Sequence, residues 1–251
     1  MTLFEDFAPP AAAAQKVQSR ELQAESRVWD LPVRVFHWTL VSAFIAAFVT
    51  NKLGVSYFKY HVWAGYIVLV LVAFRLVWGL VGTRHARFWN FLRGPKEVLL
   101  YARSLLAAKG PHYAGHNPLG ALMVLALLAG LGAQAALGLF ANDEIFNVGP
   151  LYGYVSKDFS LELTSLHRKL FYGLAAFVAL HILAVVAHKI FKNENLVRAM
   201  ITGRKPREFV PAGEAIGSSR LWLAIPIGMV LASALAWIVN HAPAAVDSGE
   251  F

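Results

Sequence analysis

Four histidines fall within or at the ends of apolar segments, where an ionisable side chain is costly and is usually functional. They are His37, His61, His167 and His181. Imidazole is the commonest metal ligand in proteins, so histidines inside a membrane indicate a metal or haem site. A single such histidine is more simply explained by a hydrogen bond between helices. Four of them at two matched depths are poorly explained by chance.

The spacing of these histidines sorts them into two pairs. His167 and His181 lie 14 residues apart, about 40° short of four helical turns, so both face one side of a helix with a rise of roughly 21 Å between them. The second and fourth helices run in the same direction, so His61 near the start of one lies at the depth of His167 near the start of the other. The first helix runs the opposite way, so His37 near its start lies at the depth of His181. Each pair can hold a planar macrocycle between two imidazoles, which predicts two stacked bis-histidine haems.

Other metal sites fit the sequence less well. The absence of cysteine excludes disulfides, cysteine-ligated zinc, iron–sulfur clusters and thioether-attached haem. A lone zinc or non-haem iron site usually adds carboxylates or further histidines at one depth. No Asp or Glu lies inside a predicted membrane segment, so non-covalent haem is favoured.

Three arginines are candidates for contacts with haem propionates. Arg75 lies in the second helix near its end, where it either meets a propionate or extends to the lipid headgroups. The same two roles are open for Arg34 and Arg168, which lie beside ligand candidates.

The remaining polar residues near the helices are not predicted ligands. His85, His112 and His116 fall in a basic loop and are expected to be solvated, while His241 ends the fifth helix. We expect Gln134 to form an interhelical hydrogen bond rather than a quinone contact.

The elements that must position these residues are five apolar segments. Of the 251 residues, 57% are hydrophobic and only 15% are charged, whereas a soluble domain carries about 25% charged residues. The segments span roughly 34–53, 61–82, 117–140, 163–190 and 219–240. Each is near the length that crosses a bilayer. The predicted fold is an all-α, polytopic transmembrane helical bundle: a four-helix di-haem core and a fifth, C-terminal transmembrane helix. A short surface helix is predicted over 96–108.

Loop charge predicts the orientation of the bundle. The stretches 83–116 and 189–220 are rich in Lys and Arg, whereas 141–162 is acidic. Because basic loops resist translocation, the N-terminus should be cytoplasmic and the C-terminus periplasmic, although the short 51–60 loop carries two lysines on the outer side. His61 and His167 then form the outer pair, and His37 and His181 the inner pair. Topology, rather than nucleic-acid binding, explains the net charge of +8.

The chain divides into three predicted regions. Residues 1–27 are Ala/Pro-rich with mixed charge and are expected to be a mobile cytoplasmic tail. Residues 28–205 form the di-haem membrane domain, and 206–251 form a linker and the additional helix.

Three stretches of sequence resemble the bacterial cytochrome b561 family, which is itself similar to b-type subunits of nickel–iron hydrogenases and formate dehydrogenases. They are VWDLPVRVFHWTL at 28–40, YHVWAGYIVLVLVAFRLVW at 60–78, and the region 167–198 with HRKLFYG, LHILAVVAHKIF and NLVRAM. The resemblance covers about 28–205. It implies that His37, His61, His167 and His181 ligate two b haems, and that His188 is a following non-ligand.

Six-coordinate bis-histidine iron has no open position for substrate, so the implied chemistry is electron transfer. We expect a cytochrome of the bacterial inner membrane that exchanges electrons with the quinone pool and with a redox partner. The partner would be a periplasmic cytochrome c or a subunit of a dehydrogenase or hydrogenase. Two alternatives stay open: a stand-alone oxidoreductase of the superoxide–quinone type known in this family, and a haem-free structural bundle.

Overall fold

The computed structural model describes residues 25–106, 111–145 and 147–243. The predicted tail up to residue 24 and the last two residues of the predicted surface helix, 107–108, lie outside the described residues.

Five long helices match the five predicted membrane segments, and each is long and apolar enough to cross a membrane. The elements in chain order are β1 (Glu25–Arg27), α1 (Leu31–Lys52), α2 (Phe58–Val81), α3 (Phe88–Phe91), α4 (Pro95–Leu106), α5 (Pro118–Leu139), α6 (Lys157–Lys192), α7 (Leu196–Thr202), β2 (Arg204–Pro206) and α8 (Leu221–Asn240). The predicted helical bundle is confirmed. The surface helix α4 is also present, starting at Pro95.

Side-chain caps explain where three of the membrane helices begin. Asp30 accepts a hydrogen bond from Val33 N at 2.7 Å, and Asn117 accepts one from Gly120 N at 2.8 Å. Both caps are followed by a proline in the first helical turn, where its missing N–H costs nothing. Ser156 caps α6 in the same way.

Helix α2 lies at the centre of the bundle. It packs against α1, α5 and α8, while α6 packs mainly against α5. Gly130 on α5 lets Leu174 of α6 approach closely, because a Cβ there would lie 2.7 Å from the Leu174 Cδ2 atom. The fifth helix, α8, therefore lies at the periphery of the bundle, against α2 and away from α6.

The two basic stretches meet at one end of the bundle, here called the basic face. Strands β1 and β2 pair antiparallel there, and we call this pair the clasp. Gly203 precedes β2 with φ of +80°, and its carbonyl accepts hydrogen bonds from Val28 N at 2.8 Å and Trp29 N at 3.1 Å. Residues 25–27, which the sequence assigned to the mobile tail, thus belong to the folded part of the chain.

A buried ion pair lies beneath the clasp. Lys205 is 2% exposed and Glu194 is 5% exposed, and the Lys205 Nζ atom lies 2.5 Å from Glu194 Oε1. The same ammonium donates to the Tyr113 carbonyl at 3.0 Å. The pair ties the end of α6 and strand β2 to the segment before α5.

Candidate haem site

The structure brings His61 and His167 together across the bundle. Their ring centroids lie 6.2 Å apart and their planes are nearly perpendicular, at 83°. A metal–imidazole bond is about 2 Å long, so two imidazoles on opposite sides of one metal ion have ring centres about 6 Å apart. The observed separation fits a shared metal ion.

Backbone carbonyls fix the orientation of both rings. His61 Nδ1 lies 2.8 Å from the Ala47 carbonyl of α1, and His167 Nδ1 lies 2.9 Å from the Gln134 carbonyl of α5. A carbonyl only accepts, so each Nδ1 carries the proton and each Nε2 keeps its lone pair for a metal. Such carbonyl partners orient metal-binding histidines in many proteins.

Gln134 touches the outer pair a second time through its side chain. Its Nε2 atom lies 3.3 Å from His167 Nε2, so the amide engages the lone pair that a metal would use. The Gln134 Oε1 atom is buried without a hydrogen-bond partner. The expected interhelical contact is present, and a metal ion on His167 Nε2 would require the amide to turn away.

The inner pair is held less firmly. His37 and His181 lie within electrostatic reach of each other, and the His37 ring packs edge-on against Trp38 at 5.0 Å. His37 Nδ1 is buried without a hydrogen-bond partner. Nothing in the described structure fixes the orientation of this ring as the carbonyls fix the outer rings.

His188 differs from His181 in that both of its ring nitrogens are engaged. His188 Nδ1 donates to the Ala184 carbonyl at 2.9 Å, and His188 Nε2 accepts from the Asn117 amide at 3.0 Å. A ligand role for His188 would break a contact that joins α6 to the start of α5.

Three phenylalanines connect α1 and α6 between the two pairs. The Phe171 ring is stacked on Phe48 at 5.5 Å and on Phe44 at 6.2 Å. Phe171 lies one turn after His167, and Phe44 lies two turns after His37. The stack separates the two histidine levels with apolar rings.

Arg75 does not extend to the headgroups. It is 2% exposed, its guanidinium lies 5.0 Å from the Phe88 ring centre, and both terminal nitrogens are buried without a hydrogen-bond partner. A buried guanidinium with free donors is a site for a carboxylate. Of the two predicted roles, this geometry favours the propionate contact.

The other two arginines take different positions. Arg34 donates to the Ile201 carbonyl at the end of α7, which occupies part of its guanidinium with a structural contact. Arg168 is exposed, so the structure does not bring it into the bundle beside His167.

The prediction that the loop histidines are solvated is wrong for His85, and His116 is half-buried. His85 is 7% exposed and donates to the Glu214 carbonyl at 2.7 Å. His116 lies between Trp29 and Phe91, with ring centroids 4.8 and 4.7 Å away. His85 is covered because the segment around Glu214 folds back over the loop. Only His112 is exposed as expected.

Sequence reasoning missed Asp30, which joins the start of α1 to the end of α2. Its buried carboxylate accepts from Trp78 Nε1 at 3.1 Å and from the Thr83 hydroxyl. An Asp followed two residues later by Pro is a recognisable helix start, so the cap was detectable. The contacts with Trp78 and Thr83, about 50 residues away, were not.

Comparisons with known proteins find relatives over most of the chain. The family model described as prokaryotic cytochrome b561 matches residues 28–203. The chain is 27% identical to a probable Ni/Fe-hydrogenase B-type cytochrome subunit of Rhodobacter capsulatus, over 77% of this chain and 86% of that protein. It is 24% identical to the probable Ni/Fe-hydrogenase 1 B-type cytochrome subunit of Escherichia coli strain K12, over 72% of this chain and 91% of the relative. No solved structure matches the chain.

Proposed function

We propose, from the premise that the chain belongs to the prokaryotic cytochrome b561 family, that it moves electrons across the membrane by means of two bis-histidine b haems. The coarser part of this statement follows from the family and the five membrane helices: the chain is an integral inner-membrane cytochrome that transfers electrons through b haem. The number of haems, their ligands and the partners are our proposal.

The observation that carries the proposal is the outer histidine pair. His61 and His167 face each other 6.2 Å apart, and each has its Nδ1 held by a backbone carbonyl. This arrangement prepares two Nε2 lone pairs for one metal ion before any metal binds. His37 and His181 would hold the second haem, and Arg75 would bind a propionate of that haem.

A haem bound by two imidazoles supplies one-electron transfer without an open iron position. The protein's own residues would orient the ligands, bury the haems and supply charge near them. Ala47 and Gln134 orient the outer rings, the phenylalanine stack around Phe171 keeps water from the space between the two levels, and the Arg75 guanidinium supplies buried positive charge. Such burial and charge are the means by which a protein tunes the potential of a haem.

The partner we propose is a hydrogenase. The relatives from Rhodobacter capsulatus and Escherichia coli are both named as hydrogenase cytochrome subunits, and this chain spans most of their length. In this proposal the cytochrome passes electrons between the hydrogenase and the membrane quinone pool. A periplasmic cytochrome c in place of the hydrogenase is the alternative partner.

We further propose that the basic face is cytoplasmic. The clasp joins residues 25–27 to 204–206, so the segments before α1 and after α6 lie on one side, and four membrane helices connect them. The loop after α2 joins the same face, since Arg84 and His85 both bond to residues near Glu214. The positive-inside preference then favours the cytoplasm for this face.

The haem content of the purified protein tests the proposal. We expect two haems per chain by the pyridine haemochrome assay, all removable by acid–acetone. His61→Ala and His167→Ala should each lose the outer haem and retain part of the inner low-spin signal, while His241→Ala, a variant at the exposed end of α8, should retain both. One haem per chain in the folded wild type would overturn the di-haem proposal.

Purification of the chain from its native membrane tests the choice of partner. We expect a hydrogenase to co-purify with it. Recovery of the chain alone, with superoxide-dependent reduction of quinone, would instead identify the stand-alone oxidoreductase.

A further inference from the structure

A cavity opens on the basic face, and its His116 lies within electrostatic reach of Arg75 and His181 of the inner level. It has a volume of about 550 Å³ and lies among the loop after α2, the segment before α5 and the linker before α8. The side chains that matter for its chemistry are Arg84, Arg87, Arg93, His85, His116 and Glu214. None of the four proposed haem ligands lines it.

Arginine dominates the charge of this cavity. Its lining holds three arginines and one carboxylate, Glu214. Arg84 uses that carboxylate at 3.2 Å, and Arg93 lies 3.6 Å from Glu97. Arg87 makes no ion pair with any described residue, and its Nε atom is buried without a hydrogen-bond partner. The cavity therefore holds one guanidinium whose charge no carboxylate of the described chain balances.

His116 adds a second polar group without a partner. Its Nδ1 atom is buried and makes no hydrogen bond, while Trp29 and Phe91 fix the ring from two sides. Burial, assisted by the charge of Arg75, lowers the pKa of His116 to about 3, so the ring is neutral at pH 7. A neutral imidazole can donate one hydrogen bond to an anion beside Arg87.

The surroundings of the cavity place it at the depth of lipid headgroups. The Arg87 guanidinium lies 5.8 Å from the ring centre of Trp89, which is 55% exposed, and exposed Trp rings favour the membrane interface. The nearby surface helix α4 exposes Leu99 and Leu100, as a helix lying on the bilayer does. Basic pockets at this depth bind anionic headgroups.

We propose that this cavity binds the phosphate group of an anion, with Arg87 as the main donor and Arg84 and His116 as neighbours. Guanidinium groups pair with phosphate through two parallel hydrogen bonds. The phosphate can come from an anionic phospholipid headgroup or from free phosphate. The proposal does not rest on the haem assignment, because its donors, Arg87, Arg84 and His116, are not among the ligands proposed for haem.

The test uses the full-length, haem-loaded protein, delipidated in a neutral detergent, with unfolding followed by tryptophan fluorescence. The probes are short-chain phosphatidylglycerol, short-chain phosphatidylcholine and inorganic phosphate. A ligand that binds the folded state raises the melting temperature as its concentration rises, which gives an apparent Kd. We expect phosphatidylglycerol, inorganic phosphate or both to raise it saturably, and phosphatidylcholine to raise it far less.

Matched variants assign the effect to the cavity. Arg87→Gln should weaken the apparent Kd about tenfold or more, since it removes a charge-assisted hydrogen bond. Arg103→Gln removes an exposed arginine of α4 outside the cavity and should bind as the wild type does. Arg87→Lys keeps the charge but loses the planar fork, so it should weaken binding by a smaller factor. It gives the same comparison if Arg87→Gln does not fold.

The outcomes separate the two sources and the failure of the proposal. Saturable stabilisation by phosphatidylglycerol but not by inorganic phosphate identifies a lipid site, and stabilisation by inorganic phosphate identifies a free-phosphate site. Absence of a saturable shift with both, or equal Kd values for the wild type and the Arg87 variants, overturns the proposal.

Discussion

At the scale of single residues, what distinguishes the two histidine pairs is the partner of the second ring nitrogen. Backbone carbonyls hold His61 and His167, whereas His37 Nδ1 is buried without a partner. The outer rings are therefore already oriented for the haem we propose, whereas no hydrogen bond of the described structure orients the His37 ring. We expect the inner site to be the more sensitive of the two to small changes around it.

Replacement of His181 should abolish the inner low-spin haem, and replacement of His188 should not. His188 already bonds through both ring nitrogens, whereas His181 makes no hydrogen bond within the described chain. Haem stoichiometry and low-temperature spectra of His181→Ala and His188→Ala would compare the two. His188→Ala should lower the melting temperature slightly, since it removes the contact with Asn117. Loss of the inner haem in His188→Ala alone would reverse our assignment.

Acid should destabilise the protein in part through His116. Burial lowers its pKa to about 3, below the ordinary value of about 6.5, so the unfolded chain binds a proton that the folded chain excludes. The resulting loss in the free energy of unfolding is absent well above pH 6.5 and grows as the pH falls toward 3. It reaches about 2 kcal/mol at pH 5. Melting temperatures at pH 7.5 and 5.0 would measure it. The drop should be smaller in His116→Gln, and an equal drop would show that His116 does not contribute.

Helical periodicity was enough to place His167 and His181 on one face, and helix direction was enough to predict that His61 lies opposite His167, as the ring contact shows. Spacing cannot predict the carbonyls of Ala47 and Gln134, since those depend on the register between helices. The burial of His85 and His116 escaped prediction for a similar reason. His85 is covered by a linker 129 residues further along the chain, and His116 packs against Trp29 near the start of the first helix. No local pattern records either contact.

At the scale of elements, the basic face depends on the buried pair Lys205–Glu194. Each group is almost fully removed from water, so each depends on the other to offset its desolvation. The pair also connects α6 and β2 to the Tyr113 carbonyl. Its geometry therefore fixes how three segments meet.

Breaking this ion pair should cost more than replacing it. Glu194→Gln leaves the Lys205 ammonium buried without a charged partner and should destabilise the protein by about 3–5 kcal/mol. The double variant Glu194→Leu with Lys205→Met should be clearly more stable than that single variant. Thermal unfolding of both, with the exposed pair Lys157–Glu144 disrupted as a control, would test this order. A double variant less stable than Glu194→Gln would contradict it.

At the scale of the whole molecule, the clasp constrains the topology without reference to charge. Residues 25–27 and 204–206 are paired, so the number of membrane crossings between them is even. The helices α1, α2, α5 and α6 satisfy this condition. The five spans were predictable from apolar length, but the clasp was not, because its strands are three residues each and pair across most of the chain.

Reporter fusions at Pro111 and at the C-terminus should give opposite locations, the first cytoplasmic and the second periplasmic. Helix α8 follows the basic face and spans 20 residues, so the chain after it should emerge on the other side. Paired phosphatase and fluorescent-protein fusions would measure both locations. A fusion at Pro206, on the basic face, should report the same side as the one at Pro111. The same location for Pro111 and the C-terminus would mean that α8 does not cross.

The clasp also sets an order of events during synthesis. Its first strand leaves the ribosome before any membrane helix, and its second strand only after the fourth. The N-terminal strand must therefore wait, unpaired, while four helices insert. Once β2 emerges, it can pair and close the four-helix unit before α8 has left the ribosome. The fifth helix then packs onto a four-helix unit that has already formed.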